Sequence, residues 1–99
     1  MLSFSELIQM DKPVLVDFFA TWCGPCKTMS PILSDLKKRM GDSISIIKID
    51  VDKSPGTAAA YQVQGVPALL LFKSGKILWR QAGVVPAAQL ETIIKQHTL

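Results

Sequence analysis

The sequence predicts an α/β fold in which helices cover both faces of a central mixed four-stranded sheet, and three observations carry that prediction. Short apolar runs rich in strand formers alternate with segments of helical period along the whole chain. The first two strand runs are joined through a long helical segment, which implies a right-handed parallel crossover. The last two flank Ser74–Gly75, a tight turn that returns the chain as an antiparallel hairpin.

Each element has its own signal. Ser3 and Glu6 have capping-box spacing, and Phe4, Leu7 and Ile8 follow at helical spacing, so a short helix is expected over residues 3–10. Residues 14–19 form a continuous apolar run interrupted only by Asp17, as a strand covered on both faces requires. A helix over 24–40 buries Met29, Ile32, Leu33, Leu36 and Met40; Pro31 inside it removes one backbone bond and should kink it. Gly41–Asp42 ends that helix. A second strand is expected at 44–50, a short helix at 57–62 after the loop Lys53–Gly56, and the hairpin strands at 68–73 and 76–82. Pro86 suits the first turn of a final helix whose apolar face holds Leu90, Ile93, Ile94 and His97, the last read as structural.

A chain of 99 residues fits one domain, 1–99. Such a domain buries roughly 65% of its unfolded surface, and a 48% hydrophobic content supplies that core. The net charge of +3 is scattered apart from Lys37, Lys38 and Arg39 at a helix end, so the sequence does not read as a nucleic-acid binder. No apolar run approaches the ~18 residues of a membrane span. The N-terminus has no basic leader and carries Glu6 early, so a cytoplasmic location is expected.

The two cysteines are separated by only two residues, in Trp22–Cys23–Gly24–Pro25–Cys26. A bridge there closes a tiny loop and is a weak staple, worth about 2 kcal/mol in the chain-entropy model, so chemistry explains the pair better than stability does. Zinc fails on ligand count: two cysteines and one distant histidine do not make four, so no metal is expected. The pair sits between a buried strand and a helix start. Cys23 at that N-terminus faces free backbone N–H groups, which favour thiolate, the attacking species in disulfide exchange. Cys26, one turn inside and more buried, should stay a thiol until needed. Cys23 is therefore the expected nucleophile and Cys26 the resolving thiol. The strand carboxylate Asp17 should be harder to ionise than usual because it is buried.

Segment 17–27, DFFATWCGPCK, closely resembles the active-site segment of thioredoxins. Pro31, 48–52 (KIDVD), 65–67 (GVP), 69–75 (LLLFKSG) and Gly83 fall where that family has similar segments, so the resemblance runs from about residue 3 to the end. It implies a thioredoxin fold and a protein-disulfide reductase with Cys23–Cys26 as its redox centre and no separate cofactor. The implied partners are a flavin-dependent thioredoxin reductase and disulfide-containing proteins.

The resemblance also assigns supporting residues. Asp17 would take the Cys26 proton, with Lys48 nearby to tune it by charge. The Val66–Pro67 bond would be cis and face the disulfide. The Val66 backbone would pair with an extended substrate, and Trp22, Gly24, Pro25, Val66, Pro67, Ala82 and Gly83 would form an apolar docking face. Two other readings stay open: an oxidase or isomerase of the same fold, and a binding module without turnover.

Some residues depart from the family pattern. Family members usually begin with an extra strand, whereas only Met1 and Leu2 precede the first helix here. The strand at 44–50 is then an exposed edge, and the protein is expected to be a monomer or a weak dimer through it. Phe19 stands where Trp is common and Ala68 where Thr is common, and Trp79 is unusual and expected to cover an edge.

Overall fold

The computed structural model describes residues 3–98. Met1 and Leu2, which the sequence leaves ahead of the first helix, lie outside the described residues. The elements are α1 (Phe4–Leu7), β1 (Val14–Phe19), α2 (Gly24–Met40), β2 (Ser45–Asp50), α3 (Pro55–Ala60), β3 (Ala68–Lys73), β4 (Lys76–Ala82) and α4 (Ala87–His97), with one 3-10 turn at Gly41–Ser43. The strands form a four-stranded sheet in the order β2-β1-β3-β4. β1 runs parallel to β2 and antiparallel to β3, and β3 and β4 form the hairpin.

Strand alternation sorts the core into two layers. Leu15, Leu69 and Leu71 pack with Met29, Leu33 and Leu36 of α2 and Leu90 and Ile94 of α4. Val14, Val16, Phe18, Leu70 and Phe72 pack on the opposite face with Ile8 and Ala58. Phe4, Tyr61 and Phe72 meet edge-to-face there, with ring centroids 5.4 to 6.0 Å apart, an arrangement that aromatic quadrupoles favour. Both central strands are thus covered on both sides, as the β1 run, apolar except for Asp17, requires.

α2 is continuous through Pro31. It ends at Gly41, whose φ of 57° and ψ of −130° suit glycine. The hairpin turn has φ of 52° at Ser74 and 81° at Gly75, the positive pair that a right-twisted two-residue turn needs. Its tip is pinned to the chain after α1: Ser74 N–H donates to Met10 O at 3.0 Å and Gly75 N–H to Ile8 O at 2.9 Å.

Several boundaries differ from the sequence reading. α1 stops at Leu7 rather than residue 10, because the chain turns after Ile8 to receive those two hairpin bonds. The expected capping box is present, with Ser3 as the cap. α3 begins at Pro55 rather than 57 and ends at Ala60 rather than 62: proline takes its first turn, and Gln62, with φ of 57°, closes it. β2 begins at Ser45, one residue later than expected. His97 is exposed, its ring bonded back to the Ile93 carbonyl, and does not join the apolar face. Trp79 stands opposite Leu71 and packs on the α2–α4 core layer, inward rather than across an edge. Among the described residues β2 is an edge strand, and no helix is long and apolar enough to cross a membrane.

Candidate functional site

The chain leaves β1 at Phe19, turns through Ala20 to Trp22 and enters α2. Cys23 caps that helix: its backbone is extended and its sulfur accepts the Cys26 N–H at 3.1 Å. The cap residue and the third helical residue lie close across the first turn, here with Cα atoms 5.3 Å apart, within the span a disulfide bridges. Cys23 and Cys26 are joined by a disulfide. The two residues are equally buried, at 4% and 5% exposure, so the expected burial asymmetry is absent. What distinguishes them is position. Cys23 lies at the cap, with its sulfur 3.6 Å from the Val66 carbonyl oxygen, whereas Cys26 lines a pocket behind it.

That pocket, of about 270 Å³, is lined by Asp17, Cys26, Lys27, Ser30 and Lys48 among others. It has room for several waters, each occupying about 30 Å³ of liquid. Asp17 reaches it because alternation along β1 turns Leu15, Asp17 and Phe19 toward α2. The carboxyl is 1% exposed, and neither oxygen has a hydrogen-bond partner among the described residues. Burial pushes its pKa from the ordinary 3.8 up to about 6, with the Lys48 charge pulling the other way. Lys48 stands opposite Asp17 in the β1–β2 register. Its ammonium donates to Ser30 Oγ at 2.8 Å and lies 5.9 Å from the Phe19 ring centroid.

The other site residues form the rim. The Val66–Pro67 bond is cis. Gly83 N–H donates to Pro67 O at 2.8 Å and Ala82 pairs with Ala68, so the end of β4 is held beside the cis-proline loop. Gly83 has φ of 94°, which explains a glycine there. Gly65 has no such conformation, and a Cβ on it would meet nothing within 4 Å, so close packing within the chain does not explain it. Trp22 is 70% exposed, which excludes a core role, and Gly24 and Pro25 are exposed beside it.

Four contributors escaped the sequence reading. Asp52 Oδ2 accepts the Trp22 indole N–H at 2.9 Å. Asp50 shapes that loop by accepting from Asp52 N–H at 2.9 Å, and the Asp–x–Asp spacing was the available signal. Ser30, one turn beyond Cys26 in α2, holds Lys48. Val84, 41% exposed next to Gly83, extends the apolar rim.

The thioredoxin family model matches residues 2–96. Thioredoxin Y2, a chloroplastic protein of Arabidopsis thaliana, is 51% identical over 89 residues, which cover 89% of this chain and 53% of that protein. A thioredoxin-like protein of Synechocystis is 49% identical over 89 residues, covering 89% of this chain and 85% of its own. The chain spans about half the length, 53%, of its Arabidopsis and rice relatives. The crystal structure of chloroplastic thioredoxin z superposes with a TM-score of 0.81 at 34% identity, covering 88% of this chain and 79% of that one. The sheet order, the helix-capping cysteine pair and these likenesses agree, and the chain belongs to the thioredoxin family.

Proposed function

We propose that this single domain, 1–99, is a thiol–disulfide oxidoreductase that reduces protein disulfides by dithiol exchange. One observation carries the reading: the Cys23–Cys26 disulfide lies at the N-terminus of α2, with the Cys26 N–H on the Cys23 sulfur. In the reduced protein that N–H and the helix end favour a thiolate on Cys23.

The Cys23 thiolate attacks one sulfur of the substrate disulfide, forms a mixed disulfide and expels the other sulfur as a thiolate that takes a proton from solvent. Cys26 then gives its proton to the Asp17 carboxylate, directly or through water in their shared pocket. Its thiolate attacks the Cys23 sulfur and releases the second substrate thiolate. Two electrons pass to the substrate, and the Cys23–Cys26 disulfide is left. Lys48 tunes Asp17 through its charge. The Val66 backbone pairs with the substrate as an added strand, and Trp22, Gly24, Pro25, Pro67, Ala82 and Gly83 form the surrounding docking face.

No separate cofactor enters this cycle, since the two sulfurs carry the electrons. The partner that restores the dithiol is a flavin-dependent thioredoxin reductase. The β2 edge makes the protein a monomer or a weak dimer. Dithiol chemistry needs a reducing compartment. The cytoplasm is the sequence-based choice, and the chloroplast, named for the plant relatives, is the other.

Insulin-disulfide reduction with dithiothreitol tests the reading. The protein should accelerate it and Cys23→Ser should not; equal rates would leave a binding module. A reduction potential near about −270 mV fits a reductant, while one near about −120 mV would make the protein an oxidant.

A further inference from the structure

We propose that Arg80 and the polar pocket beside it form a specificity subsite for an acidic side chain that the substrate carries within two residues of its attacked cysteine. The proposal deepens the dithiol-exchange reading and rests on it.

Arg80 lies on β4 opposite Leu70, so its side chain stands on the α3 face of the sheet. With Gln62, Gln64, Gly65, Gln81 and Ala82 it lines a pocket of about 300 Å³. Among the described residues it is the only charged one in that lining, which Gln62 and Gln64 share on the same side. The guanidinium is held at one corner, where Nη2 donates to the Gln62 carbonyl at 3.4 Å. Gln62 is free to accept because it occupies the left-handed position that closes α3. Among the described residues no carboxylate pairs with Arg80, whereas Arg39 is bonded to both Asp35 and Glu91. The rest of the planar fork is available for a carboxylate.

The pocket is continuous with the docking face. Gly65 precedes Val66, whose carbonyl lies 3.6 Å from the Cys23 sulfur. Ala82 precedes Gly83 on the opposite wall. A strand paired with Val66 advances about 3.3 Å per residue. One or two residues from its cysteine it passes Gly65, where no side chain stands in the way. A Glu or Asp there reaches the guanidinium, while Lys or Arg is repelled.

The test uses two disulfide-linked peptides that differ only in Glu or Gln one or two residues from the attacked cysteine, with dithiothreitol as electron source. The wild type should reduce the Glu peptide about two- to five-fold faster in kcat/KM at low salt, as befits an exposed ion pair. That ratio should shrink at about 0.5 M salt, where the screening length falls to roughly 4 Å. Arg80→Gln should bring it to about one, and Arg39→Gln, far from the pocket, should leave it intact. No preference in the wild type, or a preference that survives Arg80→Gln, overturns the subsite. If the wild type fails to outrun Cys23→Ser on either peptide, the exchange reading itself fails and the subsite falls with it.

Discussion

Asp17 and Lys48 stand opposite each other across β1 and β2 without forming an ion pair: Lys48 bonds Ser30 Oγ at 2.8 Å, and among the described residues both Asp17 oxygens lack a partner. A buried carboxylate without hydrogen bonds is costly, so the folded protein holds the Asp17 proton more tightly than the unfolded chain does. The separation keeps Lys48 close enough to moderate that effect and too far to abolish it.

The first prediction concerns stability. The folded-state pKa of Asp17 is raised from 3.8 to about 6, so between those values the folded state binds more protons than the unfolded state. Stability therefore falls as pH rises through that window and levels off above it. At about 1.4 kcal/mol per tenfold, the ionised group costs the fold about 3 kcal/mol at neutral pH. Asp17→Asn removes the charge but keeps a buried amide, which costs about 1–2 kcal/mol of its own. The net gain should be about 1–2 kcal/mol at pH 7, or roughly 5–10 °C in Tm, and should reverse to a loss of about 1–2 kcal/mol near pH 3.5, where the charge penalty is gone and the amide cost remains. Thermal melts of the oxidised protein across that range check it; an Asn variant less stable at pH 7 would contradict the burial argument. On the proposed cycle, in which Asp17 takes the Cys26 proton, the same variant should also reduce insulin more slowly.

A second prediction separates the docking face from the redox pair. Asp52 holds the exposed indole of Trp22 through a single 2.9 Å bond. Asp52→Ala should free that ring and raise KM for a protein disulfide about two- to five-fold, the worth of about 0.5–1 kcal/mol for one exposed hydrogen bond. The rate with a small disulfide should barely change. Trp22 fluorescence anisotropy gives an independent reading, and an unaltered anisotropy would show that the bond does not position the ring.

The hairpin tip supports a third. At Gly75 φ is 81°, and a Cβ would come within 2.6 Å of the Gln9 side chain. Gln9 is exposed and can move, so the backbone conformation dominates. Gly75→Ala should cost about 1 kcal/mol, measured by urea unfolding with an unchanged m-value. No loss of stability would mean that the turn relaxes to another type.

The legibility of this chain follows from where its information is local. β1, α2, β3 and β4 matched the sequence reading because long apolar runs, a capping cysteine and a Ser–Gly turn act within a few residues. α1 and α3 drifted by two or three residues because their ends are set elsewhere: Ile8 and Met10 give their carbonyls to the hairpin tip, and Gln62 closes α3 in a conformation its residue type does not announce. The cysteines and Asp17 were visible as chemistry in an otherwise apolar context. Asp52 and Ser30 were not, because their partners Trp22 and Lys48 lie 30 and 18 residues away and only the fold brings them together.

The last prediction isolates the charge of Lys48 from its contacts. Its attraction lowers the pKa of Asp17, opposing the larger effect of burial. Lys48→Met removes the charge while keeping most of the stem over Phe19, so the Asp17 midpoint should move above about 6. At pH 7 a larger share of the carboxyl is then protonated and unable to accept the Cys26 proton. The acid limb of the turnover profile should shift upward, and mixed disulfide should accumulate at neutral pH. Ser30→Ala breaks the 2.8 Å bond but leaves the ammonium charge in place, so its effect on the midpoint should be smaller. Carboxyl NMR titration of the oxidised protein reads the midpoint directly. If Lys48→Met leaves it in place or lowers it, burial alone sets the ionisation of Asp17, and the cross-strand lysine has no part in tuning the base.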